Sequence, residues 1–132
     1  MAYFAKLNSE NVVVHVSAVA DSDCLDSDGN ESEAVGVAYL KSIHGSDTVW
    51  KQTSYNTKNN THKTNGTAFR GNYAGIGFTY SESEDCFIPP KPFPSFVWDS
   101  TNKKWDAPVA YPSEGRHTWD EENQTWIAYP SE

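Results

Sequence analysis

The residues best spaced for metal chemistry lie in "CLDSDGNE", 24–31. Asp26, Asp28 and Gly29 stand as they would in the middle of an EF-hand loop, where a glycine holds the sixth position. Counting outward from Gly29 puts Cys24 first and Val35 twelfth. The bidentate carboxylate of that loop is therefore missing, and the stretch reads as a solvated turn. Asp26 and Asp28 are the residual Ca²⁺ candidates; no metal and no cofactor is expected. His15, His44, His62 and His117 are scattered, with no H-E-x-x-H spacing. Cys24 and Cys86 form no C-x-x-C, so a thiol–imidazole dyad would have to be assembled by the fold. The glycines of "GNYAGIG" are wrongly spaced for a phosphate cradle. Carboxylates are abundant enough to meet by chance, which is poor ground for glycosidase chemistry. No catalytic signature emerges, and the expectation is a non-enzymatic protein.

Aromatic residues are the stronger lead. "WDSTNKKWDAPVAYPSE", 98–114, is followed by "WDEENQTWIAYPSE", 119–132. Aligning the first aromatic of each brings out a third copy upstream, "YSESEDCFIPPKPFPS", from Tyr80. In every copy an aromatic returns seven positions on: Tyr80/Phe87, Trp98/Trp105, Trp119/Trp126. Two chemistries fit. Trp98, Trp105, Tyr111, Trp119, Trp126 and Tyr129 could present ring faces to a sugar or a protein partner. Alternatively, the rings pair across short hairpins, which need such pairs to be stable. The second reading is the expected one.

The elements that position these rings follow from pattern. Residues 2–7 and 11–19 flank a polar "NSEN" and alternate with period two, which predicts a β-hairpin. Residues 20–30 are an acidic loop. From about Glu31 to His44 the period is helical, with Val35, Tyr39, Leu40 and Ile43 on one stripe. Asn30 and Glu33 predict a capping box, and Gly45 a stop. Residues 47–56 read as a strand and 57–72 as a long polar loop, mobile or used for contact. Residues 73–80 resume strand character, with Gly75 and Gly77 marking a bulge or close approach. Prolines in "IPPKPFPS" and "DAPVAYPS" exclude central strands and predict extended connectors. The expected fold is α+β, mostly β. Residues 1–80 form the core domain, and 80–132 form three hairpin units, 80–97, 98–118 and 119–132, packed on the core or extending from it.

Composition narrows the partners. The 132 residues carry 18 acidic and 10 basic side chains, a formal net charge of −8. That balance argues against a nucleic-acid partner, which requires a basic face. No apolar run reaches the ~20 residues of a membrane helix. The opening "MAYFAKLNSEN" lacks the basic start and apolar stretch of a signal peptide, so synthesis without classical secretion is expected. The four N-x-S/T triplets then count as chance matches, and two free thiols are the default.

The segments "YAGIGFTY" and "FIPPKPFPS", the two Trp-Asp hairpins, the opening "AYFAKLNSENVVVHV" and the helix "EAVGVAYLKSIHG" carry a resemblance over nearly the whole chain. Together they resemble a family of small proteins of marine tailed bacteriophages, including those of cyanobacteria. The stretch "THKTNGTAFRGN" is longer than that pattern leads one to expect. The resemblance implies a non-enzymatic virion protein, made in the host cytoplasm and carried on the particle. Its implied partners are capsid or tail proteins, with self-association and a host surface glycan as further options. It carries over no catalytic residue.

Overall fold

Strand β1, Ala2–Leu7, explains the sheet around it. It is flanked on both sides, by β2 (Val13–Val19) and β3 (Val49–Thr53), giving the antiparallel order β2-β1-β3. A central strand covered on both faces need not alternate apolar with polar residues. Accordingly Ala2 and Phe4 belong to one buried cluster, with Val19, Cys24, Leu40 and Trp50, while Ala5 and Leu7 belong to a second, with Val13, Ala74, Tyr80 and Phe87. The helix α1, Glu33–His44, covers the first face, and the segment around Ala74 with the first aromatic hairpin covers the other. The computed structural model describes residues 1–129, so the Pro-Ser-Glu close of the third unit, 130–132, lies outside the described residues.

The N-terminal hairpin forms as expected, with one refinement. Lys6 pairs with His15 but Leu7 with Val13, leaving Val14 unpaired and exposed. This bulge switches the side-chain parity of β2. Val13 and Val16 therefore pack in one cluster and Val19 in the other, rather than sharing two strictly alternating faces along the strand. Asn8 shapes the turn, its Oδ1 accepting from the amides of Glu10 and Val12.

The helix is present but begins and faces differently from its pattern. Its N-cap is Ser32, whose hydroxyl accepts from the Val35 amide at 3.4 Å, and not Asn30. Asn30 instead closes the preceding turn on Asp26, and Glu33 is drawn away from the cap by Arg70. The buried stripe is Gly36, Val37 and Leu40; Tyr39 and Ile43 point outward. Glycine carries no hydrophobic signal, so the pattern missed the residue at the centre of the contact. A methyl group at Gly36 would overlap the fully buried Phe4 ring. An Ala in mid-helix normally gains up to about 1 kcal/mol over Gly. Here overpacking, which typically costs about 1–3 kcal/mol, wins. Gly36→Ala is thus expected to destabilise by roughly 1–2 kcal/mol in urea unfolding; a stabilised variant would show that Phe4 yields freely.

Two further expectations are corrected. The polar stretch 57–72 is turns, bends and coil over 63–72 but is not loop throughout. It folds a small hairpin, β4 (Thr57–Lys58) and β5 (Thr61–His62), through Asn59 and Asn60, both at positive φ. Asparagine tolerates that conformation, and two such residues make a tight hairpin turn. The stretch is pinned by Asn59 N–H to Asn72 Oδ1 and by Asn60 Nδ2 to the Thr101 carbonyl. The expected strand 73–80 shrinks to β6, Thr79–Ser81. The residues before it turn repeatedly, with Gly77 at φ 92° and its amide donating to the Val13 carbonyl.

The repeat is realised as three hairpins: β6 with β7 (Cys86–Ile88), β8 (Val97–Asp99) with β9 (Lys104–Asp106), and β10 (His117–Asp120) with β11 (Thr125–Ala128). The fold is α+β and mostly β, as the sequence led us to expect. Only the first hairpin contributes to the two buried clusters; among the described residues none from the other two does.

Candidate functional site

The seven-residue spacing has a direct structural meaning. Tyr80 pairs with Phe87, Trp98 with Trp105, and Trp119 with Trp126, each as directly opposed residues. Ring centroids are 5.3, 5.3 and 5.0 Å apart and inclined, the geometry aromatic quadrupoles prefer. The turns repeat as well. Asp85, Lys103 and Gln124, each five residues after the first aromatic, have positive φ without being glycine. In each turn the residue after that aromatic accepts at its side chain from the amide three positions later: Ser81 from Glu84, Asp99 from Asn102, Asp120 from Asn123. These side-chain bonds fix turn geometry where glycine is absent.

Successive units are also tied to one another. Trp105 Nε1 donates to the Pro89 carbonyl at 2.7 Å, and Trp126 Nε1 to the Val109 carbonyl at 2.8 Å. The second indole of each later hairpin thus grips the proline-bearing connector before it. Trp98 Nε1 reaches back to Glu84 in the first turn. Glu121 holds Ser95 through the hydroxyl and the amide, and also accepts from Trp119. Those bonds keep the Glu121 carboxyl below the usual carboxylate range. All four hairpin indole N–H groups are therefore occupied within the chain.

The six sequence-selected rings consequently divide. Trp119 is buried, Trp98, Trp105 and Trp126 are half-buried, and Tyr111 and Tyr129 are exposed. Trp105, Tyr111 and Trp126 come together on a groove of about 510 Å³, also lined by Phe96 and Val109 with Lys104 and Asp106. Tyr111 stands edge-on to Trp126 at 4.8 Å. Trp98 and Trp119 do not line this groove. Lys104 and Asp106 are within 3.4 Å of each other, so the polar rim is internally neutralised.

The metal candidate serves its own loop. Asp26 Oδ1 accepts from the amides of Asp28 and Asn30, and among the described residues no three His, Cys, Asp or Glu side chains converge on a cation position. Cys24 and Cys86 are buried, free thiols, and burial pushes both up from the usual thiol range. Such thiols are poor nucleophiles.

Sequence reasoning missed a polar node at Arg70. This residue sits at φ 52°, a conformation unusual for arginine. Its guanidinium makes a two-pronged contact with Glu33 at 2.5 and 3.0 Å, meets Asp85 at 2.9 Å and donates to the Gln52 carbonyl. Tyr80 donates to the same Asp85. Burial of Tyr80, and then its bond to Asp85, push its hydroxyl up to about 12. An absorbance titration should show one tyrosine ionising near that value, lost in Tyr80→Phe. Folding favours the neutral phenol, so the contribution is whole below pH ~10 and disappears as pH rises through the folded value. Full ionisation by pH ~11 would contradict the contact. The node was invisible because its members lie in four separate segments.

Two more aromatic groupings also escaped the sequence. His15 and His44 stand 6.5 Å apart beside Trp50, and Tyr3, Tyr55 and Tyr73 pack with centroids 5.5–5.8 Å apart. Comparison with protein-family models, curated proteins and solved structures finds no match for the chain.

Proposed function

We propose that this protein is a non-catalytic assembly module whose second and third hairpins act through protein–protein contact, on the exterior of a tailed-phage particle. The observation that carries the contact role is that the later hairpins expose apolar side chains while, among the described residues, adding none to the two buried clusters. Val97, Val109, Tyr111, Ile127 and Tyr129 are all exposed along the later units. They border two-stranded sheets whose outer edges, among the described residues, have no partner strand. Open edges beside exposed apolar residues invite a second surface. The motif resemblance supports a virion component, either capsid decoration or a tail or neck accessory. A net charge of −8 suits a place outside a DNA-filled shell. Mass spectrometry of purified particles of a phage carrying this gene should detect the protein in many copies. Its absence from particles would overturn the virion reading.

The groove favours a second reading, a host-glycan contact. Trp105, Tyr111 and Trp126 together offer the aromatic surface on which sugar rings stack. Glycan-array binding that disappears in Tyr111→Ala, with folding retained, would support it. Binding unchanged by that substitution would remove it.

A further inference from the structure

A second cavity, outside the hairpin groove, has the chemistry of a small-ligand site. It encloses about 320 Å³ and is walled by Tyr55, Tyr73, Phe78 and Pro89, with Thr57 among the lining residues. Ligand pockets combine such an apolar wall, at volumes of roughly 300–1,000 Å³, with a few polar groups that set orientation. Two features here point to one ligand class. First, Lys58 and Lys63 line the cavity and no acidic side chain does. Among the described residues neither lysine is ion-paired, in a chain with eight more acidic than basic side chains. Lys63 Nζ lies 4.2 Å from the centre of the Tyr55 ring, held over an aromatic wall rather than over a carboxylate. Second, Thr57 is 2 % exposed and, among the described residues, its Oγ1 has no hydrogen-bond partner. A buried hydroxyl without a partner is costly, and a ligand oxygen would relieve it. The other buried polar residue on the wall, Asn72, is fully engaged with the Asn59 amide and the carbonyls of Phe87 and Lys103.

We infer that this cavity binds a small organic anion, an aromatic or similarly flat apolar body carrying a carboxylate. The ring lies among Tyr55, Tyr73, Phe78 and Pro89. The carboxylate faces Lys63 and Lys58, and one ligand oxygen meets the Thr57 hydroxyl. The site is independent of the hairpin groove and of any role on a particle.

The test is an NMR titration of the full isotope-labelled chain with benzoate, benzamide and benzylamine in parallel. Benzoate should shift the amide resonances of Thr57, Lys58, Tyr73 and Phe78 in a saturable way. Benzamide should bind several-fold more weakly, and benzylamine should leave these resonances unmoved. Lys63→Gln, at an exposed position, should weaken benzoate about two- to fivefold, the range of a solvent-exposed ion pair. Thr57→Val keeps the side-chain shape, and should weaken benzoate about two- to tenfold, the worth of one hydrogen bond. Equal response to all three probes, or benzoate shifts indifferent to Lys63→Gln, would overturn the assignment. So would the absence of any local shift with benzoate.

Discussion

Phe87→Ala is expected to lower the stability of the whole chain by about 3–5 kcal/mol. The equivalent substitution in the last repeat, Trp126→Ala, should melt a single hairpin and leave the main transition nearly in place. The two residues hold the same position in the repeat, so the difference must come from packing. Phe87 is fully buried in the cluster that joins β1, β2 and Ala74. Its loss opens a cavity in the common core, and global unfolding feels the full effect. Trp126 is half-buried and packs on Trp119 and Tyr111, with its N–H on Val109. None of these partners belongs to either buried cluster. A lone two-stranded hairpin is marginal in water, so losing its cross-strand ring removes most of what holds it. Urea unfolding followed by circular dichroism would give the global change. Hydrogen exchange at residues 117–128 would show the local one. If Trp126→Ala shifts the global midpoint as far as Phe87→Ala does, the later hairpins fold cooperatively with the core and this division is wrong.

That contrast also shows what could be read from the residues alone. The aromatic spacing was enough to place all three hairpins; whether their rings lie opposite or diagonal was left open, and the structure sets them directly opposite. The helix was legible from its period. Its buried face was legible only at Leu40, because the side chain that matters at Gly36 is an absent one. The small hairpin at 57–62 was hidden behind polar composition, although its Asn-Asn turn was the available signal. For the interaction candidates, type and spacing identified Trp105, Tyr111 and Trp126, which do share a groove. They could not separate these from Trp98 and Trp119, whose indoles face inward ties to Glu84 and Glu121. The Arg70 node and the cavity near Thr57 are wholly tertiary. Their members are ordinary polar and aromatic residues until the chain brings them together.

Arg70→Met is expected to cost about 2–4 kcal/mol at neutral pH, and the loss should shrink in acid. The Arg70 side chain is 10 % exposed and links α1, through Glu33, to the first hairpin, through Asp85, and to β3, through the Gln52 carbonyl. Removing one member of a buried ion pair strands the other, at a cost near 3–5 kcal/mol when burial is complete. Asp85 is 62 % exposed, so water screens much of its share and the expectation is set lower. The pH dependence follows from the carboxyls. Burial opposes the charge on Glu33, but the Arg70 hydrogen bonds, the Gln52 amide and the Arg70 charge outweigh it and hold the group below its ordinary range. At Asp85 burial is likewise outweighed, by the Tyr80 hydrogen bond and by Arg70. Both folded values lie below the unfolded ones, so the folded chain binds fewer protons in that window. Their contribution is complete above pH ~5 and falls away as pH drops through the folded values. Arg70→Met removes the Arg70 share of both shifts and leaves the Gln52 amide at Glu33 and the Tyr80 hydroxyl at Asp85. The wild-type and variant stabilities, measured by urea unfolding from pH 7 down to pH 3, should therefore converge. A difference that stays constant across that range would mean Arg70 acts through its packed aliphatic stem rather than through its charge. Glu33→Gln provides the matching control. It keeps the side-chain shape and one acceptor for the Gln52 amide, but removes the charge, and should flatten the acid limb without opening a cavity.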